Sequence, residues 1–200
     1  QTMADQLAHA IDNARLYEST NRHVEELTAL HAIDTAMIST HDLDEVLSVI
    51  YEQVSKVLNV STFYIALYDE KRDELQVDLL VERGRRGEFF TLNVGESDGP
   101  AARVARTRHP LWVDDVEDDQ SGIAKGTTIA GGDMRSVAVL PLVVRDQLIG
   151  VISAQSPAPL AFDEDDRELF ASIAYQAAIA VTNARLYEEV NRRLDEANLV

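Results

Sequence analysis

Arg135-Ser136-Val137-Ala138-Val139-Leu140-Pro141-Leu142-Val143-Val144 and Gln147-Leu148-Ile149-Gly150-Val151-Ile152-Ser153-Ala154-Gln155 are two apolar, Val- and Ile-rich runs on either side of Arg145-Asp146. A two-residue polar break between such runs predicts a tight antiparallel hairpin. The rest of the chain is read by asking what pairs with this hairpin and what covers its two faces.

A second hairpin lies upstream. Ser61 to Tyr68 is β-branched and aromatic, Glu70-Lys71-Arg72-Asp73 reads as a turn, and Leu75 to Val81 is the returning strand. Phe63, Ile65 and Leu67 share one face of the first strand and Tyr64, Ala66 and Tyr68 the other, so both faces of the sheet are expected to be covered. Arg83 to Gly87 reads as a basic turn, Phe89 to Val94 as a third strand and Leu111 to Val113 as a short one. Between the last two, Gly99 to Thr107 reads as a short helix with Pro100 in its first turn. Asp114 to Asp133 holds most of the irregular sequence, with Gly122, Gly126, Gly131 and Gly132.

Helices bracket these strands. Asn13-Ala14-Arg15-Leu16-Tyr17-Glu18 recurs unchanged at Asn183-Ala184-Arg185-Leu186-Tyr187-Glu188, about one domain length later. A repeat at that spacing points to tandem modules. The expected organisation is therefore a linker helix of a preceding domain over 1–24, one complete domain over 25–188, and the start of an outgoing helix over 189–200, in a fragment of a longer chain. Leu7, Ala10, Ala14 and Tyr17 near the start, and Ile173, Ala177, Ala180, Ala184 and Tyr187 near the end, follow the four-three rhythm of a helix-packing seam. They predict a homodimer through the terminal helices, which Glu at positions 180 and 184 should disrupt. A second helix begins at Asp42, whose carboxylate suits an N-cap. Asp163, Glu164, Asp165 and Asp166 suit the positive end of the last helix.

The formal charge of −17, from 35 acidic against 18 basic residues, opposes binding to nucleic acid or to an anionic membrane surface. There is no cysteine, which removes disulfides, thiolate metal sites and nucleophilic-cysteine chemistry. No apolar run approaches the roughly 18 residues of a membrane span. A cytoplasmic location fits this composition.

The order helix, helix, hairpin, strand, short helix, irregular segment, hairpin, long helix resembles the GAF domain family. The phrases that carry the resemblance are Leu43-Asp44-Glu45-Val46-Leu47, Gly99-Pro100-Ala101-Ala102-Arg103-Val104-Ala105, Pro110-Leu111-Trp112-Val113, the hairpin quoted first, and Phe162-Asp163-Glu164-Asp165-Asp166. The resemblance implies an α+β fold in α/β/α layers, with a central antiparallel, PAS-like sheet of about six strands. Long N- and C-terminal helices cover one face; the short helix and irregular segment cover the other, over a small-molecule pocket. It implies a non-catalytic sensory domain of a multidomain signalling protein such as a bacterial sensor histidine kinase, with an output domain in the same chain. Positions matching ligand-contacting ones are Leu80, Glu82, Pro100, Ala101, Thr128, Ile129, Ser136 and Ser153. A ligand-free dimerisation spacer is the alternative, and a cyclic-nucleotide-binding GAF domain the second.

Several chemistries known in that family fit only in part or not at all. Cyclic-nucleotide binders carry an Asn-Lys pair ahead of Phe and Asp-Glu; here Phe162-Asp163-Glu164 is present, but Ser156-Pro157 stands near the pair's positions. Covalent bilin and methionine sulfoxide reduction both need cysteine. His9, His23, His31, His41 and His109 offer no evident haem ligand, and no cofactor is expected. Asp114, Asp115, Glu117, Asp118 and Asp119 lack the spacing of a calcium loop and read as a solvated acidic segment rather than a metal site. Arg83, Arg85 and Arg86 with Arg103, Arg106 and Arg108 read as surface arginines balancing acids. No nucleophile, base and orienting group stand together.

Overall fold

The computed structural model describes residues 42–119 and 134–198. The first copy of the repeat, the expected linker helix, the seam positions Leu7, Ala10, Ala14 and Tyr17, and the candidate contacts Thr128 and Ile129 lie outside the described residues. Helix α1 spans Leu43–Val57, and Asp42 caps it by accepting from the Asp44 and Glu45 amides. Its apolar stripe, Val46, Leu47, Ile50 and Val54, is buried.

Seven antiparallel strands follow: β1 (Thr62–Asp69), β2 (Glu74–Glu82), β3 (Arg85–Arg86), β4 (Thr91–Asn93), β5 (Leu111–Val113), β6 (Ser136–Val144) and β7 (Gln147–Ser156). Their order is β3-β2-β1-β7-β6-β5, with β4 also paired to β2. The two hairpins read from the sequence therefore sit side by side, joined through β1 and β7. Gly150 marks how close these two strands come, since a Cβ there would meet the Ala66 carbonyl oxygen at 2.2 Å. The strand expected over Phe89 to Val94 shortens to β4, and Phe89 and Phe90 are exposed. The basic turn at Arg85 and Arg86 is the two-residue β3.

Two apolar layers cover the sheet. On one side, Phe63, Ile65, Leu67, Leu79, Val81, Ala138, Leu140, Leu142, Ile152 and Ala154 pack against α1 and the last helix, α3 (Glu164–Asn198). On the other, Tyr64, Ala66, Leu75, Val77, Leu80, Val137, Val139 and Val151 pack with Ala101, Val104 and Ala105 of α2 (Pro100–Thr107). A bulge keeps β2 in phase with β1. Ile65 pairs with Leu79 and Ala66 with Val77, leaving Asp78 as the extra residue. Burial raises the Asp78 carboxyl pKa, and the charge of Arg185 on α3 pulls it back down.

α3 opens with reciprocal bonds: the Asp166 amide donates to Asp163 Oδ1 at 2.9 Å and the Asp163 amide to Asp166 Oδ2 at 3.2 Å. Four of the five expected seam positions near the end of the chain lie inside the domain. Ile173, Ala177, Ala180 and Ala184 are fully or almost fully buried in the domain's own helix-side core, where α3 packs on β6, β7 and α1. A four-three rhythm reports which stripe of a helix is buried but not against what. Of the five positions, only Tyr187 is exposed, together with Leu186, Val190 and Leu194 on the outer part of α3.

Candidate ligand site

The α2 side of the sheet carries its polar residues in two adjacent cross-strand rows. Register places Glu82, Thr62, Gln155, Val137 and Val113 in one row, and Leu80, Tyr64, Ser153, Val139 and Leu111 in the next. Thr62, Ser153 and Gln155 are 0–1% exposed and Tyr64 is 8% exposed. A β-sheet floor covered by a second layer normally presents only apolar side chains there; four polar ones together are unusual.

Their hydrogen bonding is incomplete. Gln155 Nε2 donates to Ser153 Oγ at 3.3 Å. Burial pushes the Tyr64 hydroxyl pKa up to about 12, and a hydrogen bond with the Ser153 side chain draws it back in part. Among the described residues, Thr62 Oγ1 and Gln155 Oε1 are buried side-chain oxygens that lack a partner. Native interiors pair most such atoms, so each unpaired one calls for an explanation.

The positions expected to contact a ligand divide. Leu80 is buried opposite Tyr64, Ala101 shares its apolar cluster, and Pro100 is buried beside it at the start of α2. Ser153 lies on the floor between Tyr64 and Val139. Glu82 is half-buried at the β2 end of the Thr62 row. Ser136 does not join them. Strand parity puts it on the helix side with Ala138, and its hydroxyl donates toward the Asp114 and Ala158 carbonyls, both at 2.8 Å, and accepts from the Ala161 amide at 3.1 Å. It is a tie between β6 and two neighbouring segments. Thr62, Tyr64 and Gln155 escaped the sequence reading, although a polar residue sharing parity with Ser153 on the neighbouring strand was a usable signal.

The acidic segment after β5 is held by arginines. Arg135 Nε donates to Asp115 Oδ1 at 3.0 Å and its Nη2 reaches both Asp115 and Glu117. Its guanidinium holds the Asp115 carboxyl below the usual range. Arg167 pairs with Asp114 and lies 5.3 Å over the Trp112 ring. No group of His, Asp and Glu with metal-binding geometry occurs among the described residues. An open cleft of about 490 Å³ lies here, between β5, Asp118 and Leu160. The arginines near α2 and β3 are engaged separately rather than as one group. Arg86 reaches Ser48 on α1, Arg106 holds the Val94 and Ser97 carbonyls, and Arg108 holds the Asp146 carbonyl.

This architecture is an α+β module that carries, among the described residues, an unsatisfied polar patch on the α2 side of its sheet. The GAF domain family pattern matches residues 40–182, and the chain belongs to that family. It is 25% identical over 205 residues to the formate hydrogenlyase transcriptional activator of Salmonella typhimurium, covering 98% of this chain and 29% of that protein. It is 21% identical over 174 residues to the circadian input-output histidine kinase CikA of Thermosynechococcus vestitus, covering 82% and 24%. The chain thus spans under a third of the length of these relatives. Among solved structures it resembles the GAF domain of a Coxiella burnetii phosphoenolpyruvate-protein phosphotransferase (TM-score 0.68, 16% identity, 83% of this chain and 98% of that one). It also resembles the free methionine-R-sulfoxide reductase of Neisseria meningitidis (TM-score 0.65, 19% identity, 81% and 91%). Regulatory and enzymatic proteins therefore share this fold, and here there is no cysteine. None of the described helices is long and apolar enough to cross a membrane.

Proposed function

We propose that the chain is a non-catalytic sensory domain of a multidomain signalling protein, binding a small molecule between the sheet and α2. The observation that carries this reading is the unsatisfied polar patch of Thr62 and Gln155 beside Tyr64 and Ser153 on the α2-side floor. Regulatory relatives of two kinds, a transcriptional activator and a histidine kinase, support the signalling context; a sensor kinase with its output domain in the same chain is the specific form we favour. α3 is both the roof of the helix-side core and a rod extending beyond it. A ligand that shifts the sheet relative to α2 has a mechanical path to whatever follows α3. Homodimerisation belongs to this proposal through the exposed outer stripe of Leu186, Tyr187, Val190 and Leu194, in place of the buried alanines.

Native mass spectrometry of the chain, compared with the same sample denatured, tests the reading. A small molecule present only in the native spectrum supports it and identifies the ligand class. A bare dimer favours the ligand-free spacer, a reading supported by the apolar filling around Val77, Val104, Val139 and Val151. A bare monomer counts against the outer stripe.

A further inference from the structure

We propose that Thr62 and Gln155 form the recognition end of this ligand site and take a neutral nitrogen donor: the –NH2 group of a carboxamide, urea or amino-heterocycle. The inference rests on the sensory reading above and gives its ligand a chemical class.

Thr62 and Gln155 are directly opposite across β1 and β7. Their side chains rise from the α2 face, where Tyr64, Ser153 and Val151 share their parity. Cross-strand neighbours stand about 4.5–5.5 Å apart at Cβ, so one small group can reach both. Gln155 commits Nε2 to Ser153, which leaves its carbonyl Oε1 without a donor; Thr62 Oγ1 is in the same state. Two buried acceptors side by side match a nitrogen with two N–H bonds, one directed at each. A buried acceptor left unmatched costs far more than an ordinary hydrogen bond contributes, so the site discriminates by what it would leave unpaired.

Charge points the same way. The row continues into the carboxylate of Glu82, which stands between Thr62 and Arg85 on the edge strand β3. The nearest arginine along β6, Arg135, is engaged by Asp115 and Glu117. A carboxylate or phosphate placed here could accept from the Thr62 hydroxyl but would set oxygen against the Gln155 carbonyl, with the Glu82 carboxylate between it and Arg85.

The test uses size-matched pairs on the 200-residue chain: nicotinamide against nicotinate and benzamide against benzoate, by saturation-transfer NMR and calorimetry. Both carboxamides should bind, and both carboxylates should bind at least about tenfold more weakly. Q155L and T62V should each weaken the carboxamides by about tenfold, while S55A, on the exposed side of α1, should change nothing. Unfolding midpoints of all variants show that the floor is intact. Carboxylates binding as tightly or more tightly would overturn the proposal, because the Gln155 amide would then present its nitrogen. Carboxamide binding untouched by both floor variants would place the ligand elsewhere, overturning the donor subsite while leaving the sensory pocket standing. Failure of all four probes, with Q155L and T62V more stable than the parent, would reduce the row to a buried-water site. The native spectrum would then decide the sensory reading separately.

Discussion

The two faces of the sheet are built from the same strands but finished differently. On the helix side the strands present an almost wholly apolar layer. Of its two buried serines, Ser136 has three backbone partners and Ser156 accepts from the Ala158 amide, and Trp112 meets Phe162 and Phe170 edge-on at ring distances of 6.3 and 6.2 Å. On the α2 side the buried serine, Ser153, meets side chains alone, and two neighbouring oxygens have no partner. One face is closed for stability. The other keeps polar capacity that the described protein does not use, which is where a binding site can be fitted without disturbing the core.

The contrast is most sharply broken by placing charge in the closed face. A177E, or Glu at both 180 and 184, puts an unpaired carboxylate into a fully buried layer and should cost about 3–5 kcal/mol or more, enough to abolish a cooperative transition. Thermal denaturation followed by circular dichroism checks it. A variant that unfolds like the parent, with only a changed mass in solution, would restore the intermolecular seam. A smaller loss comes from S136A. It strands two carbonyls and an amide near β6 and should cost roughly 2–3 kcal/mol by chemical denaturation; an unchanged midpoint would mean that solvent replaces those bonds.

What the sequence showed and what it hid follow from the same contrast. The hairpin at Arg145-Asp146, the cap at Asp42 and the acidic start of α3 were legible because each is a local signal: a two-residue break, a side chain accepting from its own helix, charges in one turn. The role of the α3 alanines was not, because a periodic stripe looks the same whether a sheet or another helix covers it. Ser136 and Ser153 looked alike, each a serine on an apolar strand. Strand parity decides their faces, and the bulge at Asp78 shows how easily one extra residue changes parity. Thr62 and Gln155 were hidden because their meeting depends on the register of strands more than eighty residues apart.

The open face can be probed through its tyrosine. Tyr64 has a folded pKa of about 12 against an ordinary 10.0. Folding therefore favours the neutral hydroxyl. That stabilisation is fully present below pH 10 and is lost as pH rises from 10 toward 12, on the order of 2 kcal/mol in all. Y64F should flatten that part of the stability profile, and an unchanged alkaline profile would mean that Tyr64 is not closed off from solvent. The acid limb behaves oppositely. Asp115 is depressed by Arg135, so its contribution is present above the ordinary carboxylate range and fades as pH falls through its folded value. Its partner Arg135 is more than a third exposed, so D115N should only blunt the loss slightly below about pH 4, measured against the parent in the same buffers.

The smallest expected effect is the most informative. Replacing Thr62 and Gln155 together by Val and Leu removes two buried oxygens that lack partners and the one amide bond to Ser153. Exchanging polar groups for apolar ones of similar shape is close to neutral when nothing was satisfied, so the double variant should lie within about 1 kcal/mol of the parent, or be more stable. That is opposite in sign to S136A, although all three residues are equally buried polar groups of one sheet. Chemical denaturation of T62V/Q155L beside S136A, without ligand, makes the comparison. A loss as large as that of S136A would mean that Thr62 and Gln155 are tied into the fold like the helix-side serine. The two faces would then not differ in kind, and the unpaired oxygens would lose their meaning as a binding site.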